Sequence, residues 1–186
     1  GKIPLLRAVK LAEKARLERA PARAYLPIDG LATYNKAVQT LLFGQESPLL
    51  SAGRVVTAQA LGGTGALKIG ADYLKRLSPD ATVFISDPSW ENHRALFESA
   101  GFPVKTYPYY DASTRGVNFS GMKDALNTLP AGSIIVLHAC CHNPTGADLS
   151  AAQWREVIEV VGARGLVAFI DMAYQGFADG LSEDAL

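Results

Sequence analysis

The sequence predicts an α/β fold in which helices cover both faces of a mostly parallel sheet, giving three αβα layers. Short apolar stretches alternate with longer helical patterns from about residue 48 onward, and two parallel strands need such a helical crossover between them. Residues 134–137 and 167–170 are apolar at every position, as expected of strands buried on both faces of the sheet. The sequence therefore predicts one α/β domain over residues 48–186, preceded by a lead-in over residues 1–47.

The individual elements follow from hydrophobic periodicity and from the residues that interrupt it. Residues 4–20 carry apolar side chains at helical spacing among Arg and Lys, which predicts an amphipathic helix. A second helix is predicted over residues 31–43, between Gly30 and Gly44. The remaining predicted strands are residues 54–61, 81–86, 103–110, 133–139 and 166–170, and the remaining predicted helices are residues 65–77, 90–100, 120–129 and 151–163. Ser150 is the expected N-cap of the last of these helices.

Composition gives no support for a nucleic-acid or membrane partner. The chain has 186 residues with 18 basic and 18 acidic side chains, so its formal net charge is zero, and no surface attraction to polyanions is expected. No apolar run approaches the length of a membrane span. The only cysteines, Cys140 and Cys141, are adjacent and poorly placed to bridge each other, which fits a reducing, cytoplasmic compartment.

Two predicted strand ends carry residues that suit ligand binding. Ligands of open α/β sheets bind outside the carboxyl ends of the strands, and Asn143-Pro144-Thr145-Gly146 is a turn signal at such an end. Gly62-Gly63-Thr64-Gly65 joins another strand to a helix, and its amide groups and the Thr64 hydroxyl could hold a single phosphate. A tight turn with Thr64 as N-cap explains the same residues. The stretch is not a P-loop, because Lys68 comes too late and is followed by Ile69.

A carboxylate, a phenol and an indole stand at further strand ends. Asp171 follows an apolar strand, where it could keep a pyridinium nitrogen protonated, cap a helix or form a structural ion pair. Tyr174 offers a hydroxyl on the same loop. Trp90 could stack on a flat ring or belong to the core. His93 shares its helix face and could be a buried histidine or a partner for an acid.

A metal site has to be considered as well. His138, Cys140 and His142 share strand parity and are residue types that bind zinc. Their spacing is much tighter than that of the usual metal-binding pairs, and the sequence has no second Cys/His cluster. A Cys/His metal-binding module remains an alternative that the spacing disfavours, and no metal ligand is assigned.

Taken together, these stretches resemble the class I pyridoxal-phosphate aminotransferases, in the aspartate/aromatic amino acid branch. Four motifs occur in the order that the family has: Gly62-Gly63-Thr64-Gly65, Asp87-Pro88-Ser89-Trp90-Glu91-Asn92-His93, Asn143-Pro144-Thr145-Gly146 and Asp171-Met172-Ala173-Tyr174. The likeness covers essentially the whole chain. The residues at positions 59–61 and 106–108 resemble those of bacterial aromatic aminotransferases more than those of strict aspartate aminotransferases. The resemblance implies part of a fold type I large domain, pyridoxal 5'-phosphate as cofactor, and a homodimer. It also implies amino transfer from an aromatic or dicarboxylic L-amino acid to a 2-oxo acid.

The resemblance further implies how residues would hold the cofactor. The Gly63 backbone and Thr64 would bind the phosphate, and Trp90 would stack on the pyridine ring. Asp171 would pair with the ring nitrogen, and His93 would steady Asp171.

Other roles concern the cofactor oxygen, the substrate and the partner subunit. Asn143 and Tyr174 would hydrogen-bond the phenolic oxygen, and Asn143 and Trp90 would also face the substrate. Tyr25 would reach the phosphate site of the neighbouring subunit. Two peptide bonds are expected to be cis, Asp87–Pro88 and Asn143–Pro144.

One family feature is absent from the sequence. No lysine stands in the Ser-x-Ser-Lys context of the Schiff-base lysine, and the arginines that grip substrate carboxylates are expected further along a family chain. The sequence begins at Gly1 and stops at Leu186, so it is expected to be a piece of a longer aminotransferase, without a catalytic residue of its own and inactive alone. The alternative is a non-catalytic domain without a cofactor.

Overall fold

The computed structural model describes residues 4–185, which contain seven helices and six strands. Helices span Arg7–Arg19 (α1), Ala32–Phe43 (α2), Pro48–Ser51 (α3), Gly62–Leu77 (α4), Glu91–Ser99 (α5), Phe119–Thr128 (α6) and Ala151–Arg164 (α7), and strands span Val83–Asp87 (β1), Val104–Pro108 (β2), Tyr110–Asp111 (β3), Gly116–Val117 (β4), Ile134–His138 (β5) and Val167–Asp171 (β6). Ser150 caps α7 as predicted, because its hydroxyl accepts from the Gln153 amide in a capping box.

The central sheet has four parallel strands in the order β2-β1-β5-β6. In its register Val83 lies opposite both Val104 and Ile134, and His138 lies opposite Asp171. Because all four strands run in one direction, their carboxyl ends meet at one edge of the sheet. The predicted α/β fold with a mostly parallel sheet is confirmed.

Two hydrophobic clusters cover the two faces of this sheet. Alternate residues of β5 point to opposite faces: Ile135 packs with Met122 and Leu126 of α6, whereas Ile134 packs with Ala71 of α4 and Phe97 of α5. The helix pair α6 and α7 therefore covers one face and the pair α4 and α5 covers the other. This arrangement gives the three predicted layers.

The predicted strand over residues 54–61 is wrong. The segment is tied to the lead-in by the Gln59 amide, which donates to Asp29 O at 2.9 Å, but no strand lies beside it within residues 4–185. The side chains of Val56 and Leu61 are each 94% exposed. A strand exists only where a neighbouring strand completes its hydrogen-bond ladder. The apolar sequence of residues 54–61 is therefore not sufficient to make this segment a strand.

Burial on both faces holds for β5 but not for β6. Residues 134–137 are all buried, whereas Ala168 and Ile170 are exposed. These two residues lie beside Ile135 and Leu137 on the face that α6 and α7 cover. The helices cover β5 and leave the adjacent part of β6 open, so the prediction for residues 167–170 is wrong.

The lead-in makes few contacts with the sheet. The predicted first helix is confirmed as α1, but none of its side chains is buried, and no helix of the described range is long and apolar enough to cross a bilayer. Gly30 fixes the lead-in against residues 54–61, because its φ is +90° and a Cβ there would lie 2.2 Å from Gln59 Cβ. Only glycine fits that close approach.

Candidate functional site

A cleft of about 240 Å³ opens at the carboxyl edge of the sheet. It lies where β5 and β6 end, beside the first turn of α4 and the residue that precedes α5. Its lining consists of Gly63, Thr64, Leu67, Trp90, His138, Cys140, Asn143, Asp171, Ala173 and Tyr174. The structure thus brings six of the predicted site residues together, namely Gly63, Thr64, Trp90, Asn143, Asp171 and Tyr174.

The first turn of α4 offers unpaired amide groups to this cleft. The helix begins at Gly62, three residues earlier than predicted, so Gly63 and Thr64 belong to the helix itself. Its N-cap is Leu61, and no side chain caps its amides. The idea that Thr64 is the N-cap is therefore wrong. An uncapped helix N-terminus presents N–H donors and the positive end of the helix dipole, which suits an anion.

Asp171 brings a carboxylate to the same cleft. Its Oδ2 accepts a hydrogen bond from Nε2 of His93 at 2.8 Å, and the His93 side chain is fully buried. Trp90 meets His93 edge-on, with 5.4 Å between ring centroids. The helix-cap alternative for Asp171 is wrong, since no helix follows it within the described residues. The buried imidazole holds the carboxylate in one orientation at the cleft.

A continuous hydrogen-bond chain links this carboxylate to the loop after β5. The backbone N–H of Asn143 can only donate, so His138 Nδ1 accepts from it at 3.3 Å and His138 Nε2 carries the proton. That proton points to Ser89 Oγ at 3.3 Å, and the Ser89 hydroxyl in turn lies 2.9 Å from Nδ1 of His93. The tautomers follow from these partners. The chain of contacts connects Asn143 to Asp171 beside the cleft.

Burial keeps the His138 ring and the Cys140 thiol of the cleft neutral. Desolvation, followed by repulsion from His142 and His93, lowers the pKa of His138 to about 3. Desolvation likewise raises the pKa of the Cys140 thiol to about 12. Both groups are therefore uncharged near neutral pH. Among the residues of the range 4–185 that line the cleft, Asp171 is the only acidic one, and none is a lysine or an arginine.

The two histidines of the considered metal site have other partners. The rings of His138 and His142 lie 4.2 Å apart, and each ring nitrogen faces a protein hydrogen-bond partner. Cys140 and Cys141 are free thiols. Within residues 4–185 no group of three or more His, Cys, Asp or Glu side chains is arranged to hold a metal ion. The described residues therefore do not form a site that supports the metal-binding alternative.

The remaining predicted residues and some unpredicted ones complete the description. Tyr25 is fully exposed and does not line the cleft. Leu67 was missed, although it follows Thr64 by three residues on α4 and so shares its helix face. Ser89 was quoted only within its motif, yet its position four residues before His93 places its hydroxyl on the imidazole. Both predicted peptide bonds, Asp87–Pro88 and Asn143–Pro144, are cis.

The loop after β6 is folded around one carboxylate. Asp184 accepts hydrogen bonds from the amides of Gly176, Ala178, Asp179 and Gly180 at 2.7–3.3 Å. These amides, with that of Asp179 first, hold its pKa below the usual value. Since Tyr174 belongs to this loop and lines the cleft, Asp184 helps to place it.

We expect Asp184→Asn to loosen this loop in a pH-dependent way. A lowered pKa means that the carboxylate stabilises the folded loop above its unfolded pKa of about 3.9 and that this contribution disappears as the pH falls through the lowered value. Hydrogen exchange of the amides of residues 176–180 should therefore be faster in the variant at about pH 6, with the difference shrinking towards about pH 3. Asp179→Asn, an exposed neighbour, is the control. Equal protection in Asp184→Asn and the parent at about pH 6 contradicts the role.

Comparison with known proteins places these features in one family. The family model described as aminotransferase class I and II matches residues 1–185. An aspartate aminotransferase of Pseudomonas aeruginosa is 67% identical over the whole chain, and an aromatic-amino-acid aminotransferase of Escherichia coli is 56% identical. The chain covers 46% and 47% of these two proteins, respectively, about half the length of each.

A solved structure supports the same assignment. The aromatic-amino-acid aminotransferase from Burkholderia pseudomallei, covalently bound to pyridoxal phosphate, superposes with a TM-score of 0.96 at 68% sequence identity. The match covers 98% of this chain and 46% of that one. This likeness confirms the predicted fold type I architecture.

Proposed function

Because this chain belongs to the class I and II aminotransferases, we propose that the protein transfers an amino group from an L-amino acid to a 2-oxo acid with pyridoxal 5'-phosphate as cofactor. One observation carries the proposal. A single cleft combines an uncapped helix N-terminus, an indole, and a carboxylate held by a buried imidazole. Those groups match a phosphate, an aromatic ring and a protonated ring nitrogen.

The chemistry of the residues present fits the cofactor. Gly63 and Thr64 would bind the phosphate through the amides of α4 and the Thr64 hydroxyl. Trp90 would stack on the ring, and Asp171 would pair with the ring nitrogen. The amides at the start of α4 have no side-chain acceptor, so a phosphate would supply the hydrogen-bond acceptor for them.

Each residue has a defined task in the reaction. The cofactor, when bound, withdraws electrons from the substrate carbon that loses its proton. Asp171 holds a proton on the ring nitrogen, and His93 keeps the carboxylate in place for that contact. Asn143 and Tyr174 donate hydrogen bonds to the phenolic oxygen, and Asn143 and Trp90 also contact the substrate. The phosphate contacts fix the position of the reacting carbon.

The amine that binds the cofactor covalently would come from elsewhere. No lysine or arginine lines the cleft in the described part of the chain. We place the Schiff-base lysine and the substrate-binding arginines outside residues 4–185, so these residues alone would not complete the reaction. The relatives act on aspartate or on aromatic amino acids by name, which supports an aromatic or dicarboxylic substrate.

Assembly and location belong to the same proposal. Residues 48–186 would form the N-terminal portion of the cofactor-binding large domain, and residues 1–47 would lead into it on the side of a homodimer partner. The full exposure of Tyr25 and the lack of buried side chains in α1 support contacts of this segment with a second subunit. Two free cysteines fit a cytoplasmic location.

Titration with pyridoxal phosphate tests the proposal. Thr64→Val removes the hydroxyl but keeps the side-chain shape, and we expect it to weaken pyridoxal phosphate binding by about tenfold or more, since a hydrogen bond to a charged group is lost. Binding of pyridoxal, which has no phosphate, should stay the same, and Thr64→Ser should keep the parent affinity. Absorbance or fluorescence titration measures all three. A parent protein that binds no pyridoxal phosphate overturns the proposal and favours a non-catalytic domain.

A further inference from the structure

A second buried imidazole lies beside the loop that carries Asn143, and none of the roles above uses it. His142 is 2% exposed, and both its ring nitrogens contact hydroxyl groups. Nε2 lies 2.9 Å from Ser86 Oγ, and Nδ1 lies 2.8 Å from Thr145 Oγ1. Ser86 belongs to β1, whereas Thr145 belongs to the loop. The ring therefore bridges the sheet and the loop.

Tyr109 attaches the other end of the same loop. Its ring stacks on the His142 ring with 4.0 Å between centroids and an angle of 17°. Its hydroxyl donates to Ala147 O at 2.7 Å. The two rings thus form a stack whose polar atoms contact the loop at Thr145 and at Ala147. A loop held at two points on a rigid stack has few alternative positions.

The backbone closes the turn around Asn143. The Gly146 amide donates to His142 O at 2.6 Å, and Asp148 accepts from the amides of Cys141 and His142 at 2.7 and 2.8 Å. Asn143 lies within this turn and lines the cleft. A shift of the His142 ring would therefore move the residue next to it.

The ring is suited to two hydroxyl partners because it is neutral. Burial lowers the pKa of His142 to about 4. A neutral imidazole has one donor and one acceptor nitrogen, and a hydroxyl can serve as either. Both contacts can be satisfied together without burying a charge.

We propose that His142 is a positioning residue, which ties the Asn143 loop to β1 and so sets the place of the Asn143 side chain in the cofactor cleft. The inference rests on the proposed function, because it assigns to Asn143 the contact with the phenolic oxygen of pyridoxal phosphate. His142 itself does not line the cleft. Its effect on the cofactor is transmitted through the loop.

Two substitutions break the bridge from different sides. His142→Phe keeps an aromatic ring for stacking on Tyr109 and removes both nitrogens. Thr145→Val removes the hydroxyl on the loop side, together with the bond that it accepts from the Ala147 amide at 3.1 Å. It keeps the His142 ring, which guards against a fold that His142→Phe disrupts. Thr128→Val is the matched control, because the Thr128 hydroxyl only donates to Ala125 O on the surface of α6.

Hydrogen exchange and cofactor binding provide separate measurements on the protein. In both variants the Gly146 amide should exchange faster, by about tenfold, which corresponds to the loss of one hydrogen bond, while the Leu126 amide in the core should not change. Pyridoxal phosphate should bind about tenfold more weakly. Its 3-deoxy analogue, which lacks the phenolic oxygen, should bind the variants and the parent equally.

The outcomes separate this inference from the proposed function. Parent-like exchange at Gly146 in both variants overturns the inference, as does an equal loss of affinity for pyridoxal phosphate and its 3-deoxy analogue. A parent protein that binds no pyridoxal phosphate overturns the proposed function. In that case faster exchange in both variants still supports the tie between His142 and the loop, and unchanged exchange refutes it.

Discussion

Asp171→Asn is expected to lower kcat/KM for the proposed transamination by roughly 10²–10⁴-fold. Removing one charge of a largely buried ion pair costs about 3–5 kcal/mol, and each 1.36 kcal/mol corresponds to about a tenfold change in rate. The asparagine has nearly the shape of the aspartate and can still bond to His93. The change therefore removes the charge that would keep the ring nitrogen protonated and leaves the packing nearly intact.

Two comparisons make this expectation specific. Asp72→Asn is the matched control, because Asp72 pairs with Lys68 on the surface of α4 and should leave kcat/KM unchanged. The free energy of unfolding without cofactor should change little in Asp171→Asn. An Asp171→Asn protein that retains parent kcat/KM contradicts the assigned role, and one that unfolds shows that the carboxylate is mainly structural.

Phe97→Ala is expected to lower the free energy of unfolding by about 3–5 kcal/mol, the range for removing a large aromatic side chain from a core. Phe97 is fully buried and meets the rings of Phe102 and Phe169 at 6.1 and 5.1 Å. It joins α5 to β6, and it lies one turn after His93 on the same buried helix face. Loss of the ring therefore weakens the element that places His93 against Asp171.

Urea unfolding measures this effect. Phe177→Ala is the matched control, since Phe177 is 73% exposed, and its change should stay within about 0.5 kcal/mol. Phe97→Leu retains much of the volume and should cost less than Phe97→Ala. A loss below about 1 kcal/mol in Phe97→Ala contradicts the packing described for this face of the sheet.

The candidate site could be predicted from the sequence where its residues stand at strand and helix ends. Trp90 and Asn143 follow strands of the sheet and Asp171 ends one, and parallel strands bring such ends to one edge. Gly63 lies instead in the first turn of α4. The family resemblance named their roles, which remain proposals. The chain of contacts from Asn143 through His138 and Ser89 to Asp171 was not predictable, because it depends on side-chain directions across three separate elements.

The sequence by itself determined the positions of the four strands of the central sheet and of the helices between them, and the cap at Ser150. These features depend on neighbours within a few residues, so periodicity and capping chemistry are sufficient to specify them. Only the tertiary structure decided that residues 54–61 form no strand, that one face of β6 is open, and that His142 bridges the sheet and the Asn143 loop. Strand pairing, burial and side-chain contacts depend on partners that are distant in sequence. The local sequence pattern around a residue therefore does not specify which partner lies beside it.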